Sequence, residues 1–405
     1  MRACGLIVEY NPFHNGHYYH IQEAKKASNA DCIIAVMSGN FLQRGEPAII
    51  DKFSRARAAL SSGADIVLEL PYPFAVQNSD YFSFGAVQTL NAIGVSSICF
   101  GSESGDINHF INSYHIFQQK SSIYELELKK WLDEGFSFPE ASMHAYKAIG
   151  LTDARFDLSQ PNNILGYSYV KTILDNNLNI EPLTIKRHSS HYHQQEITNQ
   201  IASATSIRKE LFNHDGEMTD IAAAALPDSS AKQLLDYKKQ AGHWHNWESY
   251  FSYLNYRVQT MSLEELQKIH GVSEGLEHRI KKTAKTAENM NVWIEMVKSK
   301  RYTWTRIQRM FIHILTNTKK TDLEAFLHTS DNMPYIRLLG MTKTGQHYLN
   351  GIKKDLDVPI ITSISRTMHP MLQLEEKATA AYYSILAPAI KKKLAKQEIT
   401  QPIML

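Results

Sequence analysis

Cysteine is scarce in this 405-residue chain: Cys4, Cys32 and Cys99 are the only three. An odd number with no regular spacing excludes a disulfide framework and the paired spacing of a structural zinc site. Each cysteine lies in or beside an apolar run that reads as a strand, which points to buried, reduced thiols in a cytoplasmic protein. Long hydrophobic runs are also missing. None approaches the roughly 20 apolar residues of a membrane span, and the opening "MRACGLIVEY" turns polar too soon for a secretory signal. Internal repeats, heptad seams and low-complexity linkers are absent. Net charge is small, +2, but it is the sum of two opposed halves. Residues 231–405 hold 26 Lys and Arg against 16 Asp and Glu, whereas residues 1–230 hold 17 against 25. The basic half suits a polyanionic partner, or is simply a lysine-rich solvated surface.

The first hundred residues alternate apolar runs, at 4–10, 31–39, 64–71 and 96–102, with helix-like segments near 17–28, 52–62 and 79–93. Short buried strands alternating with helices predict βαβ units and a parallel, Rossmann-like sheet with ligand loops at the carboxyl ends of its strands. Those loops are 10–17, 38–50, 70–79 and 101–106. A helical insertion is expected over about 107–160, a helix near 160–174, a strand at 180–187 and a capped helix at 202–212. The reading divides the chain into an α/β unit, 1–225, and a mainly helical basic region, 226–405, with a lone strand near 357–365.

The first rim loop reads "NPFHNGHYYHI", residues 11–21. His14 and His17 could begin a metal site, but neither Glu9 nor His20 completes a recognised ligand spacing. Packing is the plainer reading for His20. For His14 and His17 the strand-to-helix junction matters more, because a helix start offers unpaired N–H groups and partial positive charge to phosphate. Gly16 lets a phosphate or base approach the backbone, and two imidazoles there can donate to phosphate oxygens as charge develops. On the second loop Arg44 is a candidate cation for a carboxylate or phosphate, between Gln43 and Glu46. Lys52, Arg55 and Arg57 open the next helix, where at least one is expected to face only solvent. His188, His191 and His193 read as a loop near the triphosphate rather than as zinc ligands, and "HWH" (243–245) as a packed helix end.

His14-Asn15-Gly16-His17 resembles the HxGH signature of the nucleotidyltransferase superfamily. That superfamily's second signature, a Ser/Thr-rich helix start ending in a basic residue, is resembled by Ser203-Ala204-Thr205-Ser206-Ile207-Arg208, with Ala202 where many members have Ile or Val. A closer resemblance is to the bacterial tRNA(Met) cytidine acetate ligases, carried by "GLIVEYNPFHNGH" (5–17), "MSGNFLQRGEPAIIDKFSRARAAL" (37–60), "GADIVLELP" (63–71), "FGSES" (100–104) and "PNNILGYSY" (161–169). It implies an enzyme that activates acetate with ATP and Mg²⁺, releases pyrophosphate, and acetylates N4 of the wobble cytidine of elongator tRNA(Met) without CoA. It further implies an ATP-binding stretch of Ile7, Val8, Glu9, Tyr10, Asn11, Pro12, Phe13, His14, Asn15, Gly16, His17, Tyr18, Tyr19 and His20, with His14 and His17 catalytic. Gly101, Asn162, Arg187 and His188 match further nucleotide positions, and Ser203, Thr205, Ser206 and Arg208 are phosphate contacts by superfamily analogy. No residue stands out as the base for acetyl transfer.

From Met296 to Thr321 there are seven Lys and Arg and no acid. Lys298, Lys300, Arg301, Arg306 and Arg309 interleave with Tyr302 and Trp304, a pattern that suits phosphates and splayed bases of a single-stranded anticodon loop. Ile307, Met310, Phe311 and Ile314 form the apolar stripe of the same segment. Two rival readings remain open: an adenylyltransferase acting on a small molecule, and a non-catalytic tRNA- or ribosome-associated protein.

Overall fold

The computed structural model describes residues 1–152, 156–187, 202–214, 216–327, 333–365 and 369–405. His188, His191 and His193 lie outside them.

Among the described residues, eight strands form one sheet. They are β1 (Ala3–Val8), β2 (Cys32–Ser38), β3 (Ile66–Leu70), β4 (Ser97–Ser102), β5 (Glu181–Lys186), β6 (Ile336–Met341), β7 (Ile360–Ile361) and β8 (Ile403–Met404). The order is β5-β4-β1-β2-β3-β6-β7, with β8 also on β6. The first five strands are mutually parallel. β2, "CIIAVMS", is buried throughout, as a strand covered on both faces must be. Its alternate residues feed two cores: Cys32, Ile34 and Val36 on one face, Ile33, Ala35 and Met37 on the other. Strand order reverses between β1 and β4. In a doubly wound sheet that switch point opens a crevice at the strands' carboxyl ends, and both the His14 loop and Gly101 stand there.

Three helices, Ile107–Gln119, Ser121–Asp133 and Phe138–Ala148, make up the expected insertion. The later chain departs from expectation. Three strands, β6 to β8, rise from the region read as helical, and β6 completes the sheet antiparallel to β3. The run at 357–365 yields the two-residue β7, which pairs with β6 rather than standing alone. A separate helical core does exist, from Leu254 to Ile314, around Trp293 and Phe311.

Buried charge ties the C-terminal segment to the sheet. Lys52 opens helix α2 (Lys52–Leu60) with its side chain fully buried, and its Nζ lies 2.7 Å from both Glu69 and Glu398. Arg337 of β6 donates to Glu398 at 3.2 Å. Arg55 donates to the carbonyls of Glu9, Gly39 and Ile50, and Arg57 to Gln397. None of the three cations at the start of α2 is left to solvent alone, contrary to the sequence reading. Burying a charge is tolerable only with such partners. The three cysteines are buried and unpaired.

Candidate active site

Helix α1 (Asn15–Ser28) begins where β1 ends, and His14 is its N-cap in an extended conformation. His14 Nδ1 accepts the Gly16 N–H at 3.0 Å, while His17 Nδ1 accepts the His14 N–H at 3.3 Å. The reciprocal pair is a capping box built from two imidazoles. Their rings stack with centroids 3.8 Å apart. Since each Nδ1 is an acceptor, each neutral ring carries its proton on Nε2. Burial, reinforced by the Arg187 and Arg208 guanidiniums, pushes His14 down to about 3. Burial also holds His17 well below the usual imidazole range, with His14 adding to the effect. Two neutral Nε2–H donors at a helix start are the result.

They line a cavity of about 260 Å³ at the switch point. Of the stretch expected to bind ATP, Ile7, Val8, Glu9, His14, Gly16, His17, Tyr19 and His20 face it. His20 belongs there rather than to the core alone: burial lowers it to about 4, and its Nε2 has no partner among the described residues. The other members of the stretch act as scaffold. Tyr10 and Phe13 are buried and pack on His17. Asn11 accepts the Ile49 N–H at 2.7 Å, Asn15 donates to Ala224 O at 2.9 Å, and Tyr18 is 46% exposed. Pro12 does not reach the cavity lining.

Across the cavity, Gly101 is the last residue but one of β4, and a Cβ there would stand 3.1 Å from Arg187 Cγ. Arg187 donates to Asn162 Oδ1 at 3.3 Å, and Asn162 Nδ2 donates to Glu103 Oε1 at 2.7 Å. Gly101, Asn162 and Arg187 therefore meet on one wall of the cavity. Glu103 was missed, although it lies inside the quoted "FGSES". Among the described residues its buried Oε2 has no partner, and it can accept from a hydroxyl or amino group.

The second motif supports this wall more than it lines it. Ser203 caps its helix by accepting the Ser206 N–H at 3.0 Å, Ser206 Oγ donates to Ser203 O, and Thr205 is exposed. Arg208 donates to Asn11 O at 2.7 Å and to Glu46 at 3.1 Å, clamping the first two rim loops together. Ala202 alone of that segment lines the cavity.

A second cavity, of about 670 Å³, shares Gln43, Arg44 and Leu165 with the first. Arg301, Arg306 and Arg309 line it. Gly45 (φ +78°) makes the junction possible, because a Cβ there would lie 2.3 Å from Arg309 N. Arg309 in turn donates to Gln43 O at 3.4 Å. The expected aromatic platforms are not presented as free faces. Tyr302 is 8% exposed, donates to Glu274, and carries Arg306 over its ring at 4.6 Å; Trp304 packs on the helical core. Lys298 pairs with Glu295, Arg301 with Glu274, and Lys300 sits over Phe136 at 3.4 Å. His245 is packed, as read, stacked on Tyr382 and bonded to Tyr237 and Tyr250.

The HIGH nucleotidyl transferase family profile matches residues 1–398. The chain is 56% identical to a tRNA(Met) cytidine acetate ligase of Oceanobacillus iheyensis over 405 residues, all of both chains. It is 46% identical to that of Bacillus subtilis over 401 residues, 98% of this chain and 96% of the other. Among solved structures, Thermotoga maritima TmcAL superposes over the full length of both chains with a TM-score of 0.90 at 34% identity. The same protein bound with alpha-thio ATP gives 0.88 at 33%. The chain belongs to the HIGH nucleotidyl transferase family and, within it, to the tRNA(Met) cytidine acetate ligases.

Proposed function

We propose that this protein is an ATP-dependent ligase that joins acetate to the cytidine of tRNA(Met). The observation that carries the reading is the stacked His14–His17 pair, with both Nε2–H donors directed by backbone bonds at the start of α1. An acetate oxygen attacks the α-phosphorus of ATP, the bond to the bridging oxygen breaks, and pyrophosphate leaves. The two imidazoles donate to the phosphate oxygens as negative charge grows, and Arg187 adds fixed positive charge. Gly101, Asn162, Arg187 and Glu103 are the proposed adenosine side, and Arg44 the cation for acetate. Arg208 holds the first two rim loops beside the triphosphate, and Ser203 and Ser206 cap the helix that carries it. The N4 lone pair of the wobble cytidine of elongator tRNA(Met) then attacks the acetyl carbonyl carbon. AMP departs and N4 releases a proton; CoA takes no part.

Mg²⁺ is proposed to arrive on the triphosphate, whose charge it neutralises. Among the described residues no group of three or more His, Cys, Asp and Glu side chains stands ready to hold a metal. No helix there is long and apolar enough to cross a membrane, and a tRNA substrate argues for work in the cytoplasm. Incubation with labelled acetate, ATP and tRNA in the absence of CoA tests the reading. Label in tRNA supports it. Adenylate transfer to a phosphorylated small molecule, or RNA binding without turnover, would replace it with another.

A further inference from the structure

Acetyl transfer has a geometric difficulty that the first cavity does not solve. With ATP in place, the cytidine must reach the acyl carbon from another side. A base stacked in an RNA loop cannot present N4 inside a protein, so it must be turned out of the stack and held.

The second cavity offers such a holder. Its volume, about 670 Å³, is typical of a small-molecule pocket, and it meets the first cavity at Gln43, Arg44 and Leu165. Three walls converge on it. One is the rim segment carrying Gln77 and Asn78, one is the helix Trp304–Leu315 with Arg306 and Arg309, and one is the start of the insertion helix at Phe138. Phe138, a large aromatic, is 50% exposed and lines the cavity together with Pro139. Gln77 is 5% exposed and held by two contacts: its Nε2 meets His270 Nε2 at 3.3 Å, and its carbonyl accepts from Gln43 at 3.0 Å. Four arginines, Arg44, Arg301, Arg306 and Arg309, against one carboxylate, Asp80, make the lining net positive.

An aromatic face, fixed amides and arginines around one opening are the groups that recognise an extruded nucleotide: a face for the base, hydrogen bonds for its edge, cations for flanking phosphates. We infer that the second cavity is the acceptor-base pocket, in which the cytidine stacks on Phe138 and points N4 toward the Gln43–Arg44 junction. This rests on the ligase reading above and gives its second substrate a location. It also replaces Tyr302 and Trp304 with Phe138 as the stacking residue. The helical insertion thereby becomes part of the RNA site.

The test uses the full-length protein and an RNA hairpin carrying one fluorescent pyrrolo-cytidine at the acceptor position. Wild-type protein should change its fluorescence on binding, and Phe138→Ala should abolish that change while Phe138→Trp keeps it. With unlabelled tRNA, Phe138→Ala should lower kcat/KM for acetyl transfer by roughly 5- to 150-fold, the range expected for one lost base–aromatic stack. Acetate-dependent exchange of labelled pyrophosphate into ATP uses only the first cavity and should hold at the wild-type rate, which also reports that the variant is folded. Wild-type transfer and an unchanged fluorescence response in Phe138→Ala would overturn the pocket while leaving the ligase reading intact. Absence of acetate-dependent exchange in the wild-type protein would overturn both.

Discussion

The nucleotide cavity and the arginine-lined groove lie side by side, yet they manage charge in opposite ways. In the first, His14 and His17 are held neutral by burial and oriented by backbone bonds within four residues of chain. In the second, Arg301 of the lining is exposed and rests on Glu274, and beside it in the chain Lys298 and Lys300 are exposed, Lys298 on Glu295. A buried neutral donor acts through position and is insensitive to salt. An exposed cation acts through its field and is screened within about 8–10 Å at ordinary ionic strength. The comparison predicts different failures for the two regions.

The largest effect belongs to the first. His17→Ala removes one preorganised donor and the acceptor that orients His14, so acetate-dependent pyrophosphate exchange should fall by on the order of 100- to 1000-fold, with tRNA binding largely retained. Normal exchange in that variant would remove the phosphate-clamp assignment. The junction between the regions comes next. Gly45→Ala forces a Cβ against the backbone of Arg309 at a left-handed φ and should cost about 2–3 kcal/mol in urea unfolding. An unchanged midpoint would mean that the loop and helix separate freely.

Acid sensitivity follows from the buried imidazoles. His14, His245 and His313 are each at most 5% exposed, and burial depresses all three. Below about pH 6.5 the unfolded chain takes up protons that the folded chain refuses, so their contribution is full above that pH and lost as pH falls. Each such histidine should steepen the fall by about 1.4 kcal/mol per pH unit in that window, down toward pH 3 for His14. Unfolding free energies equal at pH 7 and pH 5 would contradict neutral burial. The smallest effect belongs to the groove. Neutralising Lys300, Arg301 and Arg306 together should weaken tRNA binding several-fold at low salt and reduce its log–log salt slope by up to about 2. An unchanged slope would return these side chains to the solvated-surface reading.

The two regions also differ in how much of them the sequence discloses. His14, Gly16 and His17 act through contacts three residues apart, so the motif and the geometry nearly coincide. The βαβ order, and with it the switch point beside Gly101, follows from apolar runs each long enough for one strand. Glu103 was legible only as part of the string "FGSES", since its contact with Asn162, 59 residues later, exists only in the fold. β6 was hidden because "IRLLGM" is a single run with no neighbouring strand nearby in sequence; its partner β3 lies some 270 residues earlier. Tyr302 and Trp304 misled for a related reason. Aromatics between cations suit RNA, but the same pattern serves a helical core, and Arg306 over the Tyr302 ring decides for packing. Phe138 carried no signal at all, because its exposure beside Arg306 is created by an insertion folding back across the rim.

The most direct test of the central claim measures exchange of labelled pyrophosphate into ATP, with acetate present and with tRNA and CoA both absent. If neutral His14 and His17 support adenylation of acetate, exchange should depend on acetate in the wild-type protein and collapse in His17→Ala. Exchange independent of acetate, or equal in the two proteins, would contradict it.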